Sequence, residues 1–313
     1  MNLAKRDEIL NVMDALSGRY LKGKARAVRL TFIALLSGGH ILLEDIPGLG
    51  KTTLALALAG ALGLTFGRIQ CTSDLLPSDI TGLSIFNREE NRFTFIEGPI
   101  FNNIVLVDEI NRAMPKTQSA MLEAMEERRV TVEGVTYQLP DPFLVIATQN
   151  PVEQVGTYPL PESQMDRFIV RTGIGYPPEE IEKSIIKYGS IRDEIKQIQP
   201  LLTIEDLLLA KRVVREKIHL SEKVTDYIFA IVAATRDHPL IFSGISTRGG
   251  INLAEAAKSL AYLEGRDFVV PEDVKGVAVA VGAHRLICSG ENESLNKEEL
   301  LNSIVKNIPV PLV

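Results

Sequence analysis

The residues best equipped for chemistry are Ile46-Pro47-Gly48-Leu49-Gly50-Lys51-Thr52-Thr53. They follow the apolar run Ile41-Leu42-Leu43 and open a segment in which Leu54, Leu58 and Leu62 recur at helical spacing. Strand, glycine-rich loop and helix, in that order, make a cradle for the phosphates of a nucleotide such as ATP. Gly48 and Gly50 let backbone N–H groups turn toward anionic oxygens, and the helix N-terminus adds partial positive charge. Lys51 can reach the β- and γ-phosphates, and the Thr52 hydroxyl can ligate Mg²⁺. Pro47, Leu49 and Thr53 complete the loop as binding candidates. The pattern departs from G-x-x-x-x-G-K-[ST] at one place, where Asp45 stands for the first glycine.

A carboxylate pair supplies the second half of that chemistry. Ile104-Val105-Leu106-Val107-Asp108-Glu109 is an apolar strand run that ends in two acids. On a strand beside the phosphate loop, Asp108 would face the metal and Glu109 could polarise an attacking water. The competing reading is a buried strand with two solvated acids at its tip.

These residues need a scaffold, and the chain supplies one. Apolar runs at 41–44, 68–72, 104–108, 143–147 and 168–172 alternate with helical patterns. Short runs bounded by polar turns and separated by helices predict a parallel sheet covered on both faces. Pro177-Pro178 breaks the alternation and predicts a boundary between residues 1–177 and 178–313. After Glu179 only helical periodicity is visible: Thr203 with Asp206 marks a helix start, and Leu253, Ala256, Ala257 and Leu260 mark one buried face. The expected fold class is therefore α/β, a parallel-sheet core followed by an all-α domain. Two insertions read as β-hairpins, 82–86 with 92–96 and 130–132 with 135–137, the second turning at Glu133-Gly134. They serve either as surface decoration or as projections into a shared pore or onto a partner.

Composition narrows the function. The chain has 313 residues, 45% hydrophobic and 24% charged, with a formal net charge of −6. That balance suits a globular protein with a sizeable core and argues against a generally basic nucleic-acid surface. Charged residues interrupt every apolar stretch before it reaches the length of a membrane span. The N-terminus MNLAKRDEIL has no secretory apolar region, so the expected location is cytoplasmic. Cys71 and Cys288 lack metal-ligand spacing and read as buried thiols in a reducing compartment. Apart from Mg²⁺, nothing suggests a metal.

Several further segments resemble one family in the same order along the chain. Asp108-Glu109-Ile110-Asn111-Arg112-Ala113, the following MLEAMEERRVTVEG, ATQNP at 147–151 and PLPESQMDRF at 159–168 resemble the MoxR family of AAA+ ATPases. The resemblance runs from about Gly23 to Val274, and an acidic residue at the position of Asp45 is frequent in that family. Two departures are Leu21-Lys22-Gly23-Lys24, where the family commonly reads VVGQ, and Thr247, where it often has proline.

The resemblance implies a P-loop AAA+ core, an all-α C-terminal lid, ATP and Mg²⁺ as cofactors, and ATP hydrolysis. It also implies three further catalytic residues. Asn150 matches the sensor-1 residue that orients the nucleophilic water, the alternative being a turn former before Pro151. Arg167 matches an arginine finger that reaches the neighbouring subunit's γ-phosphate, the alternative being a surface arginine paired with Asp166. Arg248 matches sensor 2, a guanidinium from the lid whose touch on the γ-phosphate would couple hydrolysis to lid movement. A finger of this kind implies a homo-oligomeric ring, hexameric by the family resemblance, and the family suggests chaperone-like work on partners with von Willebrand A domains. A nucleic-acid motor is the competing class. The first hairpin carries Arg88 and Arg92 but also Glu89 and Glu90, which leaves no basic stripe. A nucleotide-gated switch with little turnover is a third possibility, disfavoured by the complete set Lys51, Asp108, Glu109 and Arg167.

Overall fold

The computed structural model describes residues 3–89, 91–152, 155–189, 192–195, 197–290 and 295–311, so Glu90 of the first hairpin lies outside the described residues. Among the described residues, nine strands precede residue 173: β1 (Ile41–Glu44), β2 (Phe66–Gln70), β3 (Gly82–Asn87), β4 (Arg92–Glu97), β5 (Ile104–Asp108), β6 (Arg129–Val132), β7 (Val135–Gln138), β8 (Leu144–Gln149) and β9 (Val170–Thr172). Five of them form one parallel sheet in the order β2-β5-β8-β1-β9. The expected run at 68–72 moves two residues toward the N-terminus, to Phe66–Gln70, because pairing with β5 fixes its ends. The expected runs at 143–147 and 168–172 likewise become Leu144–Gln149 and Val170–Thr172.

Two-residue alternation divides the sheet between two cores. Ile41, Leu43, Ile104, Leu106, Leu144 and Ile146 face one apolar cluster. Leu42, Val105, Val107, Val145 and Ala147 face the other, with Met121, Leu122 and Met125 from the Pro115–Glu127 helix. The first cluster continues into C-terminal helices through Leu253, Ala256, Ala257 and Leu260, the face read from periodicity. Thr203 caps its helix as expected, its hydroxyl accepting the Asp206 N–H at 3.2 Å.

Both insertions are antiparallel hairpins, β3 with β4 and β6 with β7. Glu133 and Gly134 adopt φ of 50° and 82°, the paired left-handed geometry that a tight hairpin turn requires. One expectation needs correction. The C-terminal region is not all helical: β10 (Ile241–Ser243) pairs antiparallel with β11 (Ile287–Cys288). Strands of three and two residues carry no readable period, and their partners lie far apart in the chain. Among the described residues, no helix is long and apolar enough to cross a membrane.

The registers bring the chemistry to one edge. Gln70 is paired with Asp108, and Glu44 with Gln149, so β1, β2, β5 and β8 all end on the same side of the sheet. Crevices at the carboxyl ends of parallel strands are where α/β proteins bind ligands.

Candidate nucleotide site

The loop after β1 turns through two glycines, Gly48 at φ 89° and Gly50 at φ 98°. A Cβ at Gly48 would meet nothing within 4 Å, so backbone conformation rather than crowding demands glycine there. Gly50 caps the Lys51–Ala61 helix, whose first turn supplies Lys51, Thr52 and Thr53. Leu54 and Leu58 anchor that helix in the core, and Leu62 is buried one residue beyond its end.

Asp45 answers for the missing glycine. Its carboxylate turns away from the cleft and accepts the backbone N–H groups of Ile174 and Gly175, the latter at 2.9 Å. The Lys51 ammonium meanwhile donates to the Asp45 carbonyl. Burial lowers the Lys51 pKa, and the opposing pull of Asp45, Asp108, Glu109 and Glu44 favours the charged form.

A cavity of about 440 Å³ lies between the loop and the strand ends. It is lined by Pro47, Gly48, Gly50, Lys51, Thr52 and Thr53 on one side, and by Arg68, Gln70, Asp108, Glu109, Thr148 and Asn150 on the other. Of the sequence-derived binding candidates, only Leu49 is missing from this lining.

Arg68 Nε and Nη2 lie 2.9 and 2.8 Å from Asp108 Oδ2, holding that carboxylate's charge inside the cleft. Thr148 connects the two acids: its hydroxyl donates to Asp108 Oδ1 at 3.3 Å and accepts the Glu109 N–H at 2.9 Å. Glu109 is left-handed at φ 56° and ψ 52°, a conformation costing about 1–3 kcal/mol for a non-glycine residue. Gln70 Nε2 and Arg112 Nε each approach Glu109 Oε2 to 3.3 Å, which orients the carboxylate. Asn150 accepts the Val152 N–H through its side-chain oxygen at 3.2 Å, so it forms the turn before Pro151 and lines the cleft as well.

The donor set suits a small hard cation. One hydroxyl and one carboxylate in a phosphate-sized cleft are what Mg²⁺ needs when phosphates and water complete its shell. Thr52 and Asp108 would hold it.

Arg167 and Arg248 are elsewhere. Neither lines the cleft; they meet on Glu126, at the end of the Pro115–Glu127 helix. Arg248 Nη2 donates to Glu126 Oε1 at 2.6 Å. Arg167 Nε lies 3.1 Å from Glu126 Oε2, close enough for an ion pair but off-axis for a hydrogen bond. Arg167 does not pair with Asp166, whose carboxylate instead takes Arg285 Nε at 2.7 Å and the Ser246 hydroxyl at 3.2 Å.

Sequence reasoning missed Arg68, Gln70 and Thr148 in the cleft and Glu126 at the arginine pair. The available signal for the first two was alternation in Phe66–Gln70, where Gly67 and Ile69 are buried and Arg68 and Gln70 are exposed.

Comparison with known proteins agrees with this geometry. A family model described as "ATPase family associated with various cellular activities (AAA)" matches residues 40–170, and an "AAA lid domain" model matches residues 233–304. The protein YeaC of Bacillus subtilis is 45% identical over 296 residues, covering 94% of this chain and 92% of its own. Chaperone MoxR1 of Mycobacterium tuberculosis is 39% identical over 307 residues, 94% of this chain and 80% of its own. Protein MoxR of Paracoccus denitrificans is 33% identical over 326 residues, 95% and 94%. A crystal structure from Cytophaga hutchinsonii, of a protein provisionally assigned as an ATPase, superposes with a TM-score of 0.90 at 39% identity, covering 98% of this chain and 96% of that one. With the parallel sheet, the phosphate loop and the helical C-terminal region in place, the chain belongs to the MoxR family of AAA+ ATPases.

Proposed function

We propose that the protein hydrolyses ATP with Mg²⁺ and uses the cycle to remodel or activate partner proteins. The observation that carries this reading is the separation of two half-sites. Lys51, Thr52, Asp108, Glu109 and Asn150 surround one cleft, while Arg167 and Arg248 wait outside it on a shared carboxylate.

In the cleft, loop N–H groups and Lys51 hold the phosphates, Glu109 polarises the attacking water and Asn150 orients it. Thr52 and Asp108 would hold Mg²⁺, which would supply charge neutralisation for the phosphates. Arg167 serves the γ-phosphate of a neighbouring subunit. Arg248 shares Glu126 with it, and we assign it to the same neighbour's nucleotide rather than its own. A ring, hexameric by family resemblance, follows from this division of labour.

The partner is proposed to be a protein, with a von Willebrand A domain as the family suggests. Leu83, Ile85, Phe86, Phe93 and Ile96 of the first hairpin are exposed. Phe95 stacks on Tyr137 of the second hairpin at 4.0 Å, which ties the two projections together. An apolar, aromatic projection on a chain of net charge −6 suits a polypeptide better than a phosphate backbone. The similarity to Chaperone MoxR1 supports the same reading. A cytoplasmic location belongs to the proposal, supported by two buried free thiols, Cys71 and Cys288.

The test is ATP turnover per subunit against protein concentration, in wild type and Arg167→Ala. Wild-type turnover should rise as subunits assemble. Arg167→Ala should bind ATP normally yet turn over about 10³-fold more slowly, the lower range for a finger supplied in trans. Full, concentration-independent turnover by Arg167→Ala would overturn the proposal.

A further inference from the structure

The segment Asp166-Arg167-Phe168 is held from outside by His284 at the Phe168 carbonyl, by Ser246 at the Asp166 carboxylate and, through most of its bonds, by Arg285. Arg285 lies in the short turn Ala283–Arg285 that follows the Pro271–Gly282 helix, and its side chain is 2% exposed. Its Nε donates to Asp166 Oδ1 at 2.7 Å, and its Nη2 donates to the backbone carbonyls of Asp166 at 3.1 Å and Phe168 at 2.8 Å. The two residues flanking Arg167 are therefore both bonded to one buried guanidinium. Nη1 donates to the Val281 carbonyl, which fixes the guanidinium to its own helix end.

The same side chain meets the segment that carries Arg248. Gly249 is packed so closely on it that an added Cβ would lie 2.8 Å from Arg285 Cδ. Ser246, two residues before Arg248, donates its hydroxyl to Asp166 Oδ2 at 3.2 Å and caps the Arg248 helix through the Gly249 N–H at 3.0 Å. Arg285 thus touches the neighbours of both arginines without being exposed itself.

Burying a guanidinium carries a desolvation cost that well-packed apolar residues would avoid. What apolar packing does not provide is directional bonds to two carbonyls one residue apart on either side of Arg167. We propose that Arg285 is a positioning residue for the arginine pair: it fixes the backbone that aims Arg167 and Arg248 at the neighbouring nucleotide. This rests on the reading that Arg167 acts in trans.

The experiment mixes variants in which each subunit can either donate arginines or accept them. Arg285→Lys keeps the charge but loses the planar fork that spans both carbonyls. Asp166→Asn is the milder second variant, keeping the volume and weakening the ion pair. Each is combined with Lys51→Ala, which offers intact arginines but an empty loop, and separately with Arg167→Ala, which offers an intact loop. Differently tagged chains are co-purified to confirm mixed rings, and binding of a fluorescent ATP analogue checks that each cleft is intact.

Both variants should bind the analogue as wild type does and recover turnover beside Lys51→Ala. Beside Arg167→Ala they should give at least tenfold less turnover than wild-type subunits give. Should Arg285→Lys fail to fold, Asp166→Asn decides the matter. Normal activation of Arg167→Ala subunits by either folded variant would overturn the proposal. So would equal loss in both mixtures, which would mark Arg285 as a support of the whole fold. If Arg167→Ala alone were fully active, the trans reading would be the one that fails.

Discussion

The phosphate cleft and the arginine corner are built in opposite ways. The cleft is local: four parallel strands end on one edge, and its residues come from the last positions of those strands or from the turns that follow them. The corner is assembled from Glu126 in one helix, Asp166 and Arg167 in a loop, Ser246 and Arg248 at a helix start and Arg285 in a distant turn. In the cleft, each acid has a partner within the same sheet edge, Arg68 for Asp108 and Gln70 for Glu109. In the corner, two like charges are drawn together by a single carboxylate. One region encloses a cavity; the other gathers charge around one helix end. The contrast teaches that residues assigned to one function by resemblance need not meet in one place within the chain.

The contrast can be broken first at its strongest point. Lys51→Ala should weaken ATP binding by about 100-fold or more, since it removes the loop's own side-chain cation from the phosphates. The corner should survive unchanged, so this variant should still activate an Arg167→Ala neighbour. Titration of a fluorescent ATP analogue measures the first effect; near-normal affinity would remove Lys51 from the site.

A pH-dependent effect comes next, at a residue that joins β8 to the Pro115–Glu127 helix. His40 is fully buried, accepts the Val145 N–H at Nδ1 (3.0 Å) and therefore donates from Nε2 to the Met125 carbonyl (3.1 Å), one residue before Glu126. Burial, with the charges of Arg128 and Lys211, pushes its pKa down to about 4 against an ordinary 6.5. The unfolded chain then binds the extra proton first as pH falls. The stabilisation is present above pH 6.5 and is lost as the pH drops toward 4. At pH 5 that loss is about 2 kcal/mol. Urea unfolding at pH 7.5 and pH 5 should show it in wild type. His40→Asn should flatten the dependence, and an unchanged slope would sever this link.

Smallest is the effect of releasing the arginine pair. Glu126→Ala should lower turnover about tenfold with ATP affinity unchanged, because two neighbouring guanidiniums without a shared counter-charge repel one another. Faster turnover would mean that Glu126 competes with the neighbouring phosphates instead of aligning the pair.

How much of this was legible in the sequence follows the same division. The loop at Pro47–Thr53 and the acids Asp108 and Glu109 could be read because strand, turn and helix periodicities are short-range. Arg68 and Gln70 escaped because an alternating polar face on an edge strand looks the same whether it meets solvent or a cleft. Arg167 and Arg248 were assigned through family resemblance, but nothing in their spacing reveals that they share Glu126. Contacts bridging more than a hundred residues, such as Asp166 with Arg285, depend on tertiary packing and leave no periodic trace. The same reason hid the β10–β11 pair.

Asp45, where the motif usually has glycine, has a mechanical consequence. A glycine there would keep the backbone ties of this position, its N–H to the Gln149 carbonyl and its carbonyl to Lys51, and would lose the side-chain one. The carboxylate leashes the loop to the amides of Ile174 and Gly175, two residues short of Pro177-Pro178. Lys24 donates to the Gly175 carbonyl, and Gly23 lies so close to Pro178 that an added Cβ would sit 2.2 Å from its ring. One continuous set of contacts therefore runs from the phosphate loop through Asp45, Ile174 and Gly175 to Lys24 and Pro178, which joins the loop mechanically to the start of the Glu179–Tyr188 helix.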